Sequence, residues 1–190
     1  MKLREAYLLA DRIKGELAPM CERIEIAGSI RRARPEVNDI DLVLLPKPGM
    51  HAAIRERCLR RCDLVTDGAQ NLIVRLPTNG GPASGFQVDL FFARGREQDL
   101  LGSTPGNWGS ILLCRTGSKE HNIWLCQRAE SMGLKWQTYK GLMGPVKLED
   151  GTNGTHGSNE VVIASETEEE IFTALGLQMI PPVMREVGST

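Results

Sequence analysis

Two aspartates open an apolar run, Asp39-Ile40-Asp41-Leu42-Val43-Leu44-Leu45, closed by Pro46. The composition predicts a strand, and a period of two sends both carboxylates out of the same face. Carboxylates held that close repel one another unless a cation sits between them. The plain alternative is a pair of solvated acids at a strand edge. A third acid, Asp89, lies in a second predicted strand, Phe86-Gln87-Val88-Asp89-Leu90-Phe91-Phe92, where an unpaired carboxylate is costly. If the two strands are neighbours, the three acids converge. Their hard oxygens suit Mg²⁺, with Mn²⁺ as a substitute, and two such ions can clamp an in-line phosphoryl displacement.

The residues upstream fit that chemistry. Arg23-Ile24-Glu25-Ile26-Ala27 alternates like a strand and runs into Gly28-Ser29. A strand that ends in Gly-Ser before a helix start offers backbone N–H groups and a hydroxyl to an anion. Arg31 and Arg32 then add forked donors suited to phosphate. Nine residues separate Ser29 from Asp39. A Gly-Ser turn alone is common, but turn, Asp-x-Asp and later strand aspartate together read as a nucleotidyltransferase core.

Periodicity predicts a helix over 3–17, ended by Pro19, a helix within 49–61, and strands near 63–66 and 70–76. A Gly/Pro/Ser loop at 78–85 precedes the Asp89 strand. After about residue 95 the chain changes character. Helices are expected near 108–114 and 119–132, strands at 134–138, 145–148 and 160–164, and a last helix opened by Glu166-Thr167-Glu168-Glu169-Glu170 and ending near Gly176. The expected fold is α/β (α+β). A nucleotidyltransferase palm with a mixed sheet and flanking helices (residues 1–95) precedes a smaller α+β subdomain (96–190). The loop at 150–159 is polar and glycine-rich.

Charge excludes a histone-like binder. The net charge is −1, and the chain is divided: residues 1–62 carry 13 Lys and Arg against 9 acids, whereas 149–190 hold eight acids and only Arg185. No apolar run approaches the roughly 20 residues of a membrane span, and Lys2, Arg4 and Glu5 interrupt any secretion signal. Five scattered cysteines suggest reduced thiols. The expected setting is cytoplasmic and intracellular, with no membrane partner and a monomeric chain. Asn153-Gly154-Thr155 then reads as a chance sequon.

These motifs resemble the DNA polymerase β-like nucleotidyltransferase superfamily, and the C-terminal half narrows the likeness. Arg115-Thr116-Gly117-Ser118-Lys119-Glu120-His121-Asn122 resembles the Thr-Gly-Ser motif and following helix of family X DNA polymerases. The segment from Glu166 to Leu177, with Ile180-Pro181-Pro182 and Arg185-Glu186, resembles the end of their nucleotide-selecting subdomain. The resemblance covers about residues 20–186. It implies a metal-binding catalytic triad of Asp39, Asp41 and Asp89, with Asp89 near the primer 3′-hydroxyl. Gly28, Ser29 and Arg32 would bind the triphosphate. Thr116, Gly117 and Ser118 would lie under the nucleotide's sugar, where the family often has a cis Gly-Ser peptide, and Asn122 would reach the base edge. Thr116-Gly117-Ser118 could equally be a helix cap. Lys119 and Lys140 are the candidates for DNA contact.

Three departures shape the expected activity. Only 27 residues precede Gly28, so the minimal two-subdomain arrangement of a large-DNA-virus family member is expected, without lyase activity. Cys114-Arg115 stands where repair members have two aromatics crowding the sugar, which weakens the expectation of ribonucleotide exclusion. Gln87 stands where an arginine near the primer terminus is common. The expected function is short-gap filling on DNA with deoxynucleoside triphosphates, in repair. The alternatives are a template-independent terminal transferase or ribonucleotide-adding enzyme, and a non-catalytic DNA-end-binding module.

Overall fold

The computed structural model describes residues 1–77, 85–99, 102–145 and 160–186. The expected loops at 78–85 and 150–159 and the strand expected over 145–148 fall wholly or largely outside these.

Alternation along the strands builds the first half. Strands β1 (Cys21–Ile26), β2 (Asp39–Pro46), β3 (Asp63–Asp67), β4 (Asn71–Arg75) and β5 (Gln87–Phe92) form one sheet in the order β1-β2-β5-β4-β3. β2 and β5 are parallel; every other neighbour is antiparallel, so the sheet is mixed as expected. Ile40, Leu42, Leu44, Leu72, Val74, Val88 and Leu90 leave one face. They pack under α1 (Leu3–Leu17) and α3 (His51–Leu59) through Ala6, Ala10, Leu17, Ile54 and Cys58. Each fully buried aliphatic side chain contributes about 1.5–3 kcal/mol. The intervening residues leave the other face, where Val43 and Phe91 meet Trp108, Ile111 and Leu112 of α4 (Trp108–Thr116). Asp39, Asp41 and Asp89 share that parity, so the acids lie on the α4 side.

Ala27 precedes a single helical turn, α2 (Gly28–Arg31), on the same side of the sheet. A short hairpin, β6 (Glu97–Asp99) and β7 (Gly102–Thr104), leads into α4. Gly117 then ends α4, and Ser118 begins α5 (Lys119–Ser131), its hydroxyl accepting from the His121 N–H at 3.3 Å. A sheet of β8 (Lys135–Gln137), β9 (Gly141–Pro145) and β10 (Glu160–Ala164) follows, in the order β10-β9-β8. Helix α6 (Glu168–Ala174) carries a capping box in which Thr167 and Glu170 bond reciprocally at 3.1 and 3.3 Å. Leu113, Leu125, Leu142, Ile171, Phe172 and Leu175 close a second core.

The hairpin and β9 are corrections to the sequence reading. No strand is expected over Gly141-Leu142-Met143-Gly144, yet Gly141–Pro145 is the central strand of the second sheet. A Cβ at Gly141 would press on Ser165, and one at Gly144 on Ile163 and Leu134, so the glycines admit close neighbours.

The two halves are interlocked by buried charge. From α2, Arg31 donates to both Glu168 carboxylate oxygens, at 2.8 and 2.6 Å, and to Thr116 Oγ1 at 2.6 Å. Arg185, fully buried, donates to Glu168 Oε1 at 2.6 Å and to the Ile180 carbonyl at 2.8 Å. Burial pushes the Glu168 carboxyl up, but the two guanidinium groups outweigh it and hold it below the usual range.

Candidate active site

The parallel register sets Asp41 directly beside Asp89, and Asp39 beside Gln87. Burial, then Asp39, then Asp89 push the Asp41 carboxyl up to about 7, with Arg115 and Arg32 pulling the other way. Burial likewise raises Asp89, opposed by a hydrogen bond from Gln87 Nε2 at 2.8 Å. Three hard-oxygen donors that destabilise one another's charge suit a divalent cation of the Mg²⁺ or Mn²⁺ type. In their present positions no three His, Cys, Asp or Glu side chains among the described residues close around a single ion. Gln87 holds Asp89 along its own strand.

Gly28 presses on the acids. Its φ is +57°, and a Cβ there would collide with the Asp41 carboxylate, so glycine is required on both counts. Ser29 Oγ is buried without a partner among the described residues. Such an orphan calls for a ligand or water to satisfy it. Gly28, Ser29, Arg32, Asp39 and Asp41 line one wall of a cleft of about 900 Å³; Cys114, Arg115, Gly117, Ser118, Lys119 and Asn122 line the other, and Glu186 also borders it.

The Gly117–Ser118 peptide is cis, and Gly117 has a φ of +70°. Arg32 reaches beneath this turn, donating from Nη1 to the Thr116 carbonyl and from Nε to Glu186 Oε1 at 2.6 Å. Asn122 donates to the Cys114 carbonyl at 2.8 Å, while its Oδ1 is buried without a partner among the described residues.

Some expected residues stand elsewhere. The Thr116 side chain is fully buried, and its hydroxyl takes the Arg31 bond, so it lines α4 and not the cleft. Lys140 is exposed on the turn between β8 and β9, off the cleft, while Lys119 is at its edge. Arg31 is committed to Glu168 and is no free phosphate donor.

Arg115 is the main residue the sequence reading underrated. Its guanidinium stacks 3.9 Å from the centre of the Phe91 ring and donates to Tyr139 Oη at 3.2 Å. From there its charge lowers both Asp41 and Asp89. His121 is a packing residue, wholly buried and 5.8–5.9 Å from Trp124 and Phe172, and burial pushes it down to about 4. His156 lies outside the described residues.

The fold is that of polymerase beta. A Leishmania infantum polymerase beta, solved as a ternary gap complex, superposes with a TM-score of 0.69 over 98% of this chain and 70% of that one, at 20% identity. Residues 111–186 match the family described as DNA polymerase beta thumb. The Bacillus subtilis DNA polymerase/3′-5′ exonuclease PolX is 30% identical over 162 residues, 85% of this chain. The thumb-family match, the likeness to PolX and the shared fold together support a family X DNA polymerase. The chain spans about a quarter of the length of that curated relative, 24%.

Proposed function

We propose that this chain is a metal-dependent, DNA-directed DNA polymerase that fills short gaps in DNA repair. The observation that carries the reading is the placement of Asp41 beside Asp89 on parallel strands, with the Gly-Ser turn packed against Asp41 on the same wall of the cleft. In this reading residues 1–95 are the catalytic palm and 96–190 the nucleotide-selecting part, and the chain works inside the cell as a monomer.

Asp39, Asp41 and Asp89 would hold Mg²⁺, or Mn²⁺ in its place. Bound there, the metal supplies charge neutralisation to the phosphates and lowers the pKa of the attacking hydroxyl. Asp89, freed from Gln87, would orient the primer 3′-hydroxyl for in-line attack on the α-phosphate, with pyrophosphate leaving. The Gly28 and Ser29 N–H groups, the orphaned Ser29 hydroxyl and the Arg32 guanidinium would bind the triphosphate. Gly117 and Ser118 would seat the sugar, and Asn122 would read the base edge with its unpaired oxygen. Lys119, and Lys140 further out, would meet the DNA backbone.

Two observations favour a second reading, addition of ribonucleotides. Cys114 puts a small side chain on the cleft wall, and Arg115 is folded back onto Phe91.

Extension of a one-nucleotide gap, a primer-template and a single strand, with each deoxy- and ribonucleotide offered singly, tests these readings. Gap filling that is lost in Asp89→Asn, by roughly three orders of magnitude or more, supports the polymerase. Extension retained by a folded Asp89→Asn chain would overturn it. Untemplated addition to the single strand would support a terminal transferase, and DNA binding without extension a non-catalytic end binder.

A further inference from the structure

The arginine assigned to the triphosphate is already occupied by a carboxylate. Arg32 Nε donates to Glu186 Oε1 at 2.6 Å, and Arg34 Nη1 lies 3.1 Å from the other oxygen, Oε2. One carboxylate therefore spans two guanidinium groups at the rim of the cleft. The Arg32 side chain is only 16% exposed and that of Glu186 28%, so solvent screens the pair less than it would a surface pair.

The position of Glu186 is built and not incidental. Its neighbour Arg185 is anchored to Glu168 and to the Ile180 carbonyl, and the Arg185 carbonyl accepts from the Ser118 N–H at 3.1 Å. The next side chain is thereby delivered to the wall of the cleft beside the Gly117–Ser118 turn. That turn also crowds Arg32: a Cβ built at Gly117 would lie 3.0 Å from Arg32 Nη1.

We propose that Glu186 is a stand-in for phosphate. In the nucleotide-free protein it holds Arg32 and Arg34 in their working positions, yields them to an incoming triphosphate, and retakes them when pyrophosphate leaves. Carboxylate and phosphate oxygens compete for the same forked donors. Breaking the resident pair subtracts from the binding of any polyphosphate that uses Arg32. Glu186 thus lowers affinity for nucleotide and for pyrophosphate alike, and it speeds product departure. This rests on the reading above, in which the triphosphate docks on the Gly28-Ser29-Arg32 turn.

The test is direct binding to the full chain by titration calorimetry. A deoxynucleoside triphosphate and pyrophosphate are each titrated in Ca²⁺, using the unaltered chain, Glu186→Gln, Arg32→Ala and the double variant. Glu186→Gln keeps the shape of the side chain and removes its charge. It should tighten both ligands by a similar factor, about fivefold, the scale of a half-buried ion pair. In the Arg32→Ala background the same substitution should change affinity less than about twofold, as expected if the two residues act through each other. Unchanged or weaker binding by Glu186→Gln, with Arg32→Ala still weakening the triphosphate, would overturn the role of Glu186 alone. Triphosphate binding indifferent to Arg32→Ala would overturn the docking site as well. A gain for triphosphate without one for pyrophosphate would overturn the proposed part in product release.

Discussion

Arg115 on α4 stacks on Phe91 of β5, two residues beyond Asp89, and thereby brings a permanent positive charge to the acidic cluster. A guanidinium cannot lose its proton in this setting. It lowers the carboxyls of Asp41 and Asp89 while competing electrostatically with any metal they hold. Replacing Arg115 by leucine should therefore tighten Mn²⁺ binding at pH about 8.5, where the carboxylates are ionised, by a few-fold, on the order of 1 kcal/mol. Electron spin resonance of free Mn²⁺ during titration reads this directly. An unchanged or weaker affinity would show that Arg115 serves packing alone.

Asp41 also makes stability depend on pH. Its folded pKa of about 7 exceeds the unfolded value of 3.8, so the folded state binds the extra proton between them. Stability from this group is full below about pH 4 and is lost as pH rises towards 7. His121, at about 4 folded against 6.5 unfolded, works in the opposite sense: its contribution is full above 6.5 and is lost as pH falls through that window. The clean observable is therefore a difference. In EDTA, the melting temperature of Asp41→Asn minus that of the unaltered chain should grow from about pH 4 to about pH 7, reaching roughly 2–4 kcal/mol in stability. Mg²⁺ should shrink that gap. A flat difference would mean that Asp41 is solvated.

How far the sequence reached can be seen at particular residues. The Asp39–Asp41 pair was legible because a strand's period is local, and Asp89 because an acid between Val88 and Leu90 breaks an apolar pattern. The helix over 3–17 and the acidic start of α6 were legible for the same reason, since their signals lie within a few turns of chain. Arg31 with Glu168, and Arg32 with Glu186, join residues far apart in sequence. A basic residue's composition says nothing about which distant carboxylate will claim it. Arg55 shows the same limit. It reads as part of a solvated basic face, yet it bonds Asp67 and the Gly68 carbonyl and stacks 4.9 Å from the Phe92 ring centre.

The Arg31–Glu168–Arg185 interlock predicts a large effect from a small change. Glu168→Gln leaves the fully buried Arg185 and the partly buried Arg31 without their counter-charge. The expected cost is about 3–5 kcal/mol, read as a lower urea midpoint with an unchanged slope. Loss below about 1 kcal/mol would show that water reaches the cluster.

DNA binding should be weak and distributive. Of the arginines on and just after α2, Arg31 is held by Glu168, and Arg32 and Arg34 by Glu186. The candidates Lys119 and Lys140 are left. With about 0.9 counterions released per neutralised phosphate, the log–log salt slope should be near −2. Titrations on a one-nucleotide gap across several salt concentrations measure it. A slope several units steeper, with long products from single encounters, would reveal a DNA-gripping surface elsewhere.

The parallel pairing of β2 with β5 has a consequence for how the molecule is made. β1 and β2 are antiparallel and close in sequence, as are β3 and β4, so each pair can zip up from local contacts. In the sheet these two ribbons do not touch; β5 lies between them and bonds to both. It is a keystone, synthesised after both ribbons and needed to join them. Asp89 travels on that strand, so its repulsion with Asp39 and Asp41 is added only when β5 docks. The residues proposed to perform the chemistry are thus the ones that oppose the closing step of sheet assembly. A divalent cation present during refolding should speed that step.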